Sequence, residues 1–132
     1  MRRERPLVLV VDDFEAGREL CAEYLAFRGY GVATAQDGAE ALEKAFELAP
    51  DAILMDLSLP EIDGWEATRR LRADERTRDI RIIALTAHAL EAERDRALEA
   101  GCDEVVTKPV PPNELERVVR EQLGRDKAPG DP

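Results

Sequence analysis

The chain has 132 residues, with 19 Lys plus Arg against 29 Asp plus Glu and a formal net charge of −10. One domain of this length buries roughly two-thirds of its unfolded surface, so no disulfide or structural metal is needed to hold it. The acidic balance argues against a nucleic-acid surface, which needs a clustered basic face, and Cys21 and Cys102, with no CxxC or His spacing, read as buried hydrophobes in a reducing cytoplasm.

Residues 1–6 read as a disordered N-terminus. Arg2, Arg3 and Arg5 precede an apolar stretch, but Leu7 to Val11 is too short for a signal-peptide core and closes on Asp12-Asp13. That run, Leu-Val-Leu-Val-Val, is the first strand. Residues 15–28 follow with helical periodicity, placing Leu20, Tyr24, Leu25 and Phe27 on one stripe and stopping at Gly29. A second strand lies near 30–35. In the helix 38–48, Asp37 is the cap candidate, and Ala41, Leu42, Ala45 and Phe46 form the buried face. The third strand, near 51–55, runs through Ala52-Ile53-Leu54-Met55 into Asp56; Trp65 and Leu71 anchor a helix over 64–73. The fourth, 81–86, ends Ile82-Ile83-Ala84-Leu85-Thr86. An alanine-rich helix over 89–100 carries only Leu90 and Leu98 as large apolar side chains and stops at Gly101. A short fifth strand at 104–107 ends Val105-Val106-Thr107 and is followed by Lys108-Pro109. The last helix, 112–123, shows Leu115, Val118, Val119 and Leu123 at helical spacing; Pro112 suits its first turn, whereas Pro111 is a poor cap. Residues 124–132 read as a disordered tail, leaving one domain over 7–123.

Strand and helix alternating at short intervals mean βαβ units, a parallel sheet and right-handed crossovers: a compact (βα)5 α/β domain, doubly wound. Buried parallel strands read as near-continuous apolar runs, and ligands sit beyond their carboxyl ends. Four runs here end in Asp12-Asp13, Asp56, Thr86 and Lys108, which would therefore share one crevice. Taken singly, such residues are turn or capping residues as often as not; four at four strand ends are not coincidence. At about 5 Å and an effective dielectric near 20, each carboxylate pair would cost on the order of 3 kcal/mol. A divalent cation removes that cost, and all-oxygen ligation suits Mg2+, with Mn2+ as a possible substitute. Lys108 and Thr86 can serve a phosphoryl oxygen each, and an aspartate beside the ion can act as nucleophile and hold an acyl phosphate.

At this point Val10-Val11-Asp12-Asp13, Met55-Asp56-Leu57-Ser58-Leu59-Pro60, Asp63-Gly64, Ala84-Leu85-Thr86-Ala87 and Thr107-Lys108-Pro109 resemble the signature of two-component receiver domains, over about residues 7–123. The resemblance implies a flavodoxin-like sheet of order 2-1-3-4-5. It implies Asp56 as phosphoacceptor, taking its phosphoryl group from a phosphohistidine. Asp13 and Asp56 would ligate magnesium directly, Asp12 through water, and the Ser58 backbone carbonyl would complete the protein ligands. Thr86 and Lys108 would contact the phosphoryl group, and the Lys108-Pro109 bond would be cis. The implied partners are a histidine kinase or histidine phosphotransfer protein and an unknown downstream protein, with output by protein contact. Nucleic acid and membrane are not expected, and the protein would be a cytoplasmic monomer or weak dimer. It would not be an enzyme beyond catalysing its own aspartyl phosphorylation and dephosphorylation. Met1 and the short polar tail favour a free-standing protein over a piece of a hybrid kinase.

One position departs from the pattern. Receivers usually carry Tyr or Phe three residues before the lysine, and here Val105 stands there, so the usual threonine–aromatic switch is not expected. The readout would pass instead through the loop after the fourth strand, through helix 89–100 or through occupancy of the site. His88, the sole histidine, lies either at the site rim, where with Ser58 it matches positions that tune phosphoryl lifetime, or in a solvated loop. Trp65 reads as packing at a helix start. Phe14 is either part of a partner-docking face or a staple at a helix entry. Two other classes are weaker. A haloacid-dehalogenase-like magnesium phosphatase with Asp56 as nucleophile would want a second carboxylate where Ser58 stands. A flavodoxin-like cofactor carrier would want a phosphate loop where Asp12-Asp13-Phe14-Glu15 would repel the phosphate.

Overall fold

The computed structural model describes residues 5–59, 62–87 and 90–124. It contains β1 (Leu7–Val11), α1 (Glu15–Phe27), β2 (Gly31–Ala35), α2 (Gly38–Leu48), β3 (Ala52–Asp56), α3 (Gly64–Ala73), β4 (Arg81–Thr86), α4 (Glu91–Ala100), β5 (Glu104–Thr107) and α5 (Pro112–Leu123). All five strands are parallel, in the order β2-β1-β3-β4-β5. The expected doubly wound sheet is therefore present, with element bounds within two residues of those read from the sequence. Most of the terminal segments expected to be disordered, residues 1–4 and 125–132, lie outside the described residues, as does His88. Pro6, assigned by sequence to the disordered end, accepts a hydrogen bond from the Gly31 N–H at 2.9 Å. No described helix is long and apolar enough to cross a membrane.

Strand periodicity sorts the core into two layers. Leu9, Val11, Ile53, Met55, Ile82 and Ala84 point to α2, α3 and α4, where Ala41, Ala45, Ala67, Leu71 and Ala97 meet them. Val8, Val10, Leu54, Ile83 and Leu85 point to α1 and α5, where Cys21, Leu25, Leu115, Val118 and Val119 meet them. The first helix departs from its expected stripe. Cys21 and Leu25 face the sheet, whereas Leu20 is 58% and Phe27 82% exposed. Residues 21 and 25 are one helical turn apart; Leu20, Tyr24 and Phe27 form a neighbouring stripe rotated outward, with the two rings 6.5 Å apart. Helix α4 also leaves large apolar side chains outside. It seats on Ala97 and Ala100, and its large side chains Leu90 and Leu98 are exposed. On α5 the expected Leu115, Val118 and Val119 are buried, but so are Glu116 and Gln122. Each has a partner: Tyr30 Oη donates to Glu116 at 2.8 Å, and Gln122 Nε2 donates to Glu104 at 2.7 Å.

Helix ends follow the chain's punctuation. The Asp37 carboxylate accepts from the Glu40 N–H at 2.8 Å, and Asp63 does the same for Glu66 at 2.9 Å. Gly29 and Gly101 take φ of 99° and 118° just past α1 and α4, where a side chain would be strained. Pro111 offers no side-chain cap to α5, and Pro112 sits in its first turn.

The amino-terminal edge of the sheet is closed by two aspartates. Asp51 accepts from the Leu7 N–H, and Asp103 from the Ile82 N–H, each at 2.8 Å and each just before its own strand begins. Asp103 also pairs with Arg72 at 2.8 Å. From α3, Arg72 further donates to the carbonyls of Gly101, Arg78 and Ile80 at 2.9, 2.8 and 2.6 Å. One guanidinium thus ties α3 to the ends of α4 and the starts of β4 and β5. Lysine cannot reproduce that fork. Arg72→Lys should lower unfolding stability in urea by about 2–3 kcal/mol with an unchanged slope; a loss below about 0.5 kcal/mol, the range of ordinary surface changes, would refute the clamp.

Candidate functional site

At the carboxyl edge of the sheet, the register brings the singled-out residues side by side. Val11 is opposite Met55, Asp56 opposite Leu85, and Thr86 opposite Thr107. Asp12, Asp56, Thr86 and Lys108 therefore follow or end four adjacent strands, β1, β3, β4 and β5. Ligand oxygens of Asp12, Asp13 and Asp56 all lie within 4.8 Å of one another. Asp12 and Asp56 are buried and Asp13 is exposed, so the cluster opens to solvent on one side. The Lys108 ammonium stands 3.2 Å from Asp12 Oδ2 and 3.3 Å from Asp56 Oδ2. Its backbone N–H donates to the Thr86 carbonyl at 2.7 Å, and the Lys108-Pro109 bond is cis. The Thr86 side chain is buried.

Backbone donors fix the carboxylates. Asp12 Oδ1 accepts from the Phe14 N–H at 2.9 Å, at the entry to α1, and Asp56 Oδ1 accepts from the Ser58 N–H at the same distance. The Asp12 main-chain carbonyl is held by Arg18 Nη1 at 2.9 Å. Behind Asp56, α3 starts so close that a Cβ on Gly64 would lie 2.6 Å from the Asp56 carbonyl oxygen and 2.8 Å from Leu57 Cα. Only glycine admits that approach, and it supports the loop carrying Ser58.

Burial and neighbouring charge shift two groups of the site. Burial pushes the Asp56 carboxyl above its ordinary pKa; the Ser58 N–H and Lys108 pull it down, and Asp12 adds to the rise. Burial works against the Lys108 ammonium, but Asp56 and Asp12 outweigh it and hold its pKa above the usual lysine value. A raised folded-state carboxyl pKa means that Asp56 favours the fold when protonated. That contribution is complete below the unfolded pKa and lost as pH rises through the folded one. Ionised Asp56 is consequently a cost to the fold, whereas ionised Lys108 favours it. Three hard oxygen donors would suit a divalent cation such as magnesium.

Asp12, Asp13, Asp56 and Lys108 thus meet in one crevice, with Thr86 at the adjacent strand end and Ser58 bonded through its backbone; the Ser58 side chain is exposed. Phe14 is 66% exposed. It occupies the N-cap position of α1 rather than the preceding staple position, so the docking-face reading keeps the better support. With Leu20, Cys21, Pro109, Val110 and Leu115 it lines an apolar groove of about 560 Å³ beside the crevice. Trp65 packs on the core under Arg96, whose guanidinium carbon is 4.0 Å from the ring centre. Val105 is buried in the α4-side core, next to β4. The sequence reading passed over Arg18, because nothing in an arginine's position announces which carbonyl it will reach.

Comparison with known proteins agrees with this geometry. The family model described as the response regulator receiver domain matches residues 8–120. The polar-differentiation response regulator DivK of Brucella ovis is 36% identical over 117 residues, spanning 89% of this chain and 95% of DivK. The receiver domain of a sensor histidine kinase from Pseudomonas aeruginosa PAO1, solved with a magnesium ion coordinated in its active-site cleft, is 38% identical with a TM-score of 0.84, covering 92% of this chain and 99% of that one. The chemotaxis protein CheY4 of Vibrio cholerae is 29% identical with a TM-score of 0.85, covering 89% and 98%. The matched family, the identities and the strand-end carboxylates lead to one conclusion: the chain belongs to the response regulator receiver family, signalling proteins of two-component systems that are phosphorylated on aspartate and interact with histidine kinases or phosphotransfer proteins.

Proposed function

We propose that Asp56 is the phosphoacceptor of this receiver and that Asp12, Asp13, Asp56 and the Ser58 backbone carbonyl hold Mg2+, with Mn2+ acceptable to the same oxygens. The observation that supports this most is the buried Asp56 carboxylate, with Lys108 3.3 Å away and two further carboxylates within 4.8 Å. When bound, the metal supplies charge neutralisation between the carboxylates and the incoming phosphoryl oxygens. An Asp56 oxygen attacks the phosphorus of a phosphohistidine. The new O–P bond forms as the P–N bond breaks, and the electron pair stays on the imidazole nitrogen, which solvent protonates. Lys108 pairs with one phosphoryl oxygen and the Thr86 hydroxyl donates to another, so the chain contributes mainly position and charge. Ser58 stands where a phosphatase would carry its second carboxylate, which weakens the reading as a turnover phosphatase. The domain acts as a switch rather than an enzyme on other substrates.

The phosphodonor is a histidine kinase or phosphotransfer protein. The groove beside the crevice, with Phe14 and Leu20 exposed at its edge, suits an apolar helix face bringing the histidine to Asp56. Output is by contact with a further protein, the chain acting as monomer or weak dimer. Two buried free thiols, each pushed up to about 11 by burial first of all, suit a reducing cytoplasm.

With acetyl phosphate and magnesium, intact-mass measurement should show one added phosphoryl group on the wild type and none on Asp56→Asn; equal labelling of the variant would overturn the assignment. With valine at position 105 in place of an aromatic ring, the readout passes through the loop after β4, through α4 or through occupancy itself. Val105→Tyr should therefore change affinity for the downstream partner by about threefold or more, on the order of 0.7 kcal/mol, while phosphorylation rate stays within about twofold. No change in either would remove Val105 from the account of output.

A further inference from the structure

Every polar atom of Asp12 is engaged. Its N–H donates to the Ala35 carbonyl at 3.1 Å, Oδ1 accepts from the Phe14 N–H, and Oδ2 faces Lys108. The remaining atom, its main-chain carbonyl, accepts from Arg18 Nη1 at 2.9 Å. This carbonyl belongs to the peptide that joins Asp12 to Asp13. Asp13 is the exposed member of the cluster, and it lies in the short bend between β1 and α1. The orientation of that peptide plane sets the direction in which the Asp13 side chain leaves the backbone. Arg18 is itself fixed in the first turn of α1, its N–H donating to the Phe14 carbonyl at 2.9 Å. Its charge also acts on the Glu40 carboxylate of α2, which is 3.1 Å from Lys44.

We infer that Arg18 is a positioning residue for the metal: its guanidinium clamps the Asp12–Asp13 peptide so that the exposed Asp13 carboxylate is presented to the cation. The inference rests on the reading of Asp12, Asp13 and Asp56 as magnesium ligands. A purely electrostatic role makes the opposite prediction. A second cation near an acidic crevice repels a divalent ion, so removing it should tighten binding, and replacing it with lysine should change nothing. A clamp needs the guanidinium's geometry as well as its charge.

The test is magnesium binding to the full chain, by calorimetry and by the thermal shift on titration with magnesium chloride alone, for wild type, Arg18→Lys and Arg18→Met. The clamp predicts that both variants bind magnesium about tenfold more weakly, in the range seen when groups orienting a metal ligand are lost. Their metal-free melting temperatures should stay close to that of the wild type. With acetyl phosphate, the magnesium concentration for half-maximal labelling should rise by the same factor, while the rate at saturating magnesium stays within about twofold. Wild-type affinity in Arg18→Lys, or tighter binding in Arg18→Met, would overturn the clamp and leave the metal ligands standing. A wild type that binds no magnesium would refute the ligand reading itself, and the clamp with it.

Discussion

Three carboxylates and one ammonium meet at the carboxyl edge of the sheet, and the ammonium does not balance them. Asp12 and Asp56 are buried, Lys108 lies between them, and Asp13 adds a third negative charge at the rim. The raised Asp56 pKa comes first from burial; Lys108 and the Ser58 N–H pull it down, and Asp12 adds a smaller rise. Most of the surrounding structure keeps the charges together. β1, β3, β4 and β5 deliver them in register, the Phe14 and Ser58 N–H groups hold one oxygen each, and Gly64 lets α3 back the loop after Asp56. A sheet that served stability alone would not concentrate like charge in this way.

The opposite edge of the same sheet gives the contrast. Asp51 and Asp103 also flank strand ends, yet each accepts a strand N–H, and Asp103 is neutralised by Arg72. Those carboxylates close the fold. At the carboxyl edge Asp12 and Asp56 also accept backbone N–H bonds, but there three carboxylates share one ammonium, whereas Asp103 has a guanidinium to itself. A stable lower edge held by Arg72 can offset a costly upper one.

The apolar runs and the residues that end them were legible in the sequence because strand periodicity and strand-end position need only local information. The same holds for Asp37 as a cap and for Gly29 and Gly101 as stops. The helix faces were less legible. On α1 the apolar residues populate two adjacent stripes, and only packing against the sheet decides that Cys21 and Leu25 go in while Leu20 and Phe27 stay out. On α4 the alanine-rich sequence marked no single buried face, and close approach to the sheet favours Ala97 and Ala100. Arg18 and Arg72 were not legible at all. Arg72 bonds to Asp103, 31 positions away, and a long flexible side chain carries no sequence mark of its acceptor. The buried Glu116 and Gln122 are hidden for the same reason, their partners Tyr30 and Glu104 being distant in sequence.

If the crevice trades stability for metal-dependent chemistry, removing one charge should help the metal-free fold and harm the response to the ion. The direct measurement is thermal unfolding of the wild type, Asp13→Asn and Asp56→Asn, each with and without millimolar magnesium. Without metal, both variants should unfold a few degrees above the wild type, corresponding to about 1 kcal/mol of relieved repulsion. Magnesium should raise the wild-type transition and leave those of the variants nearly unchanged. Variants less stable than the wild type, with the magnesium shift intact, would contradict the account.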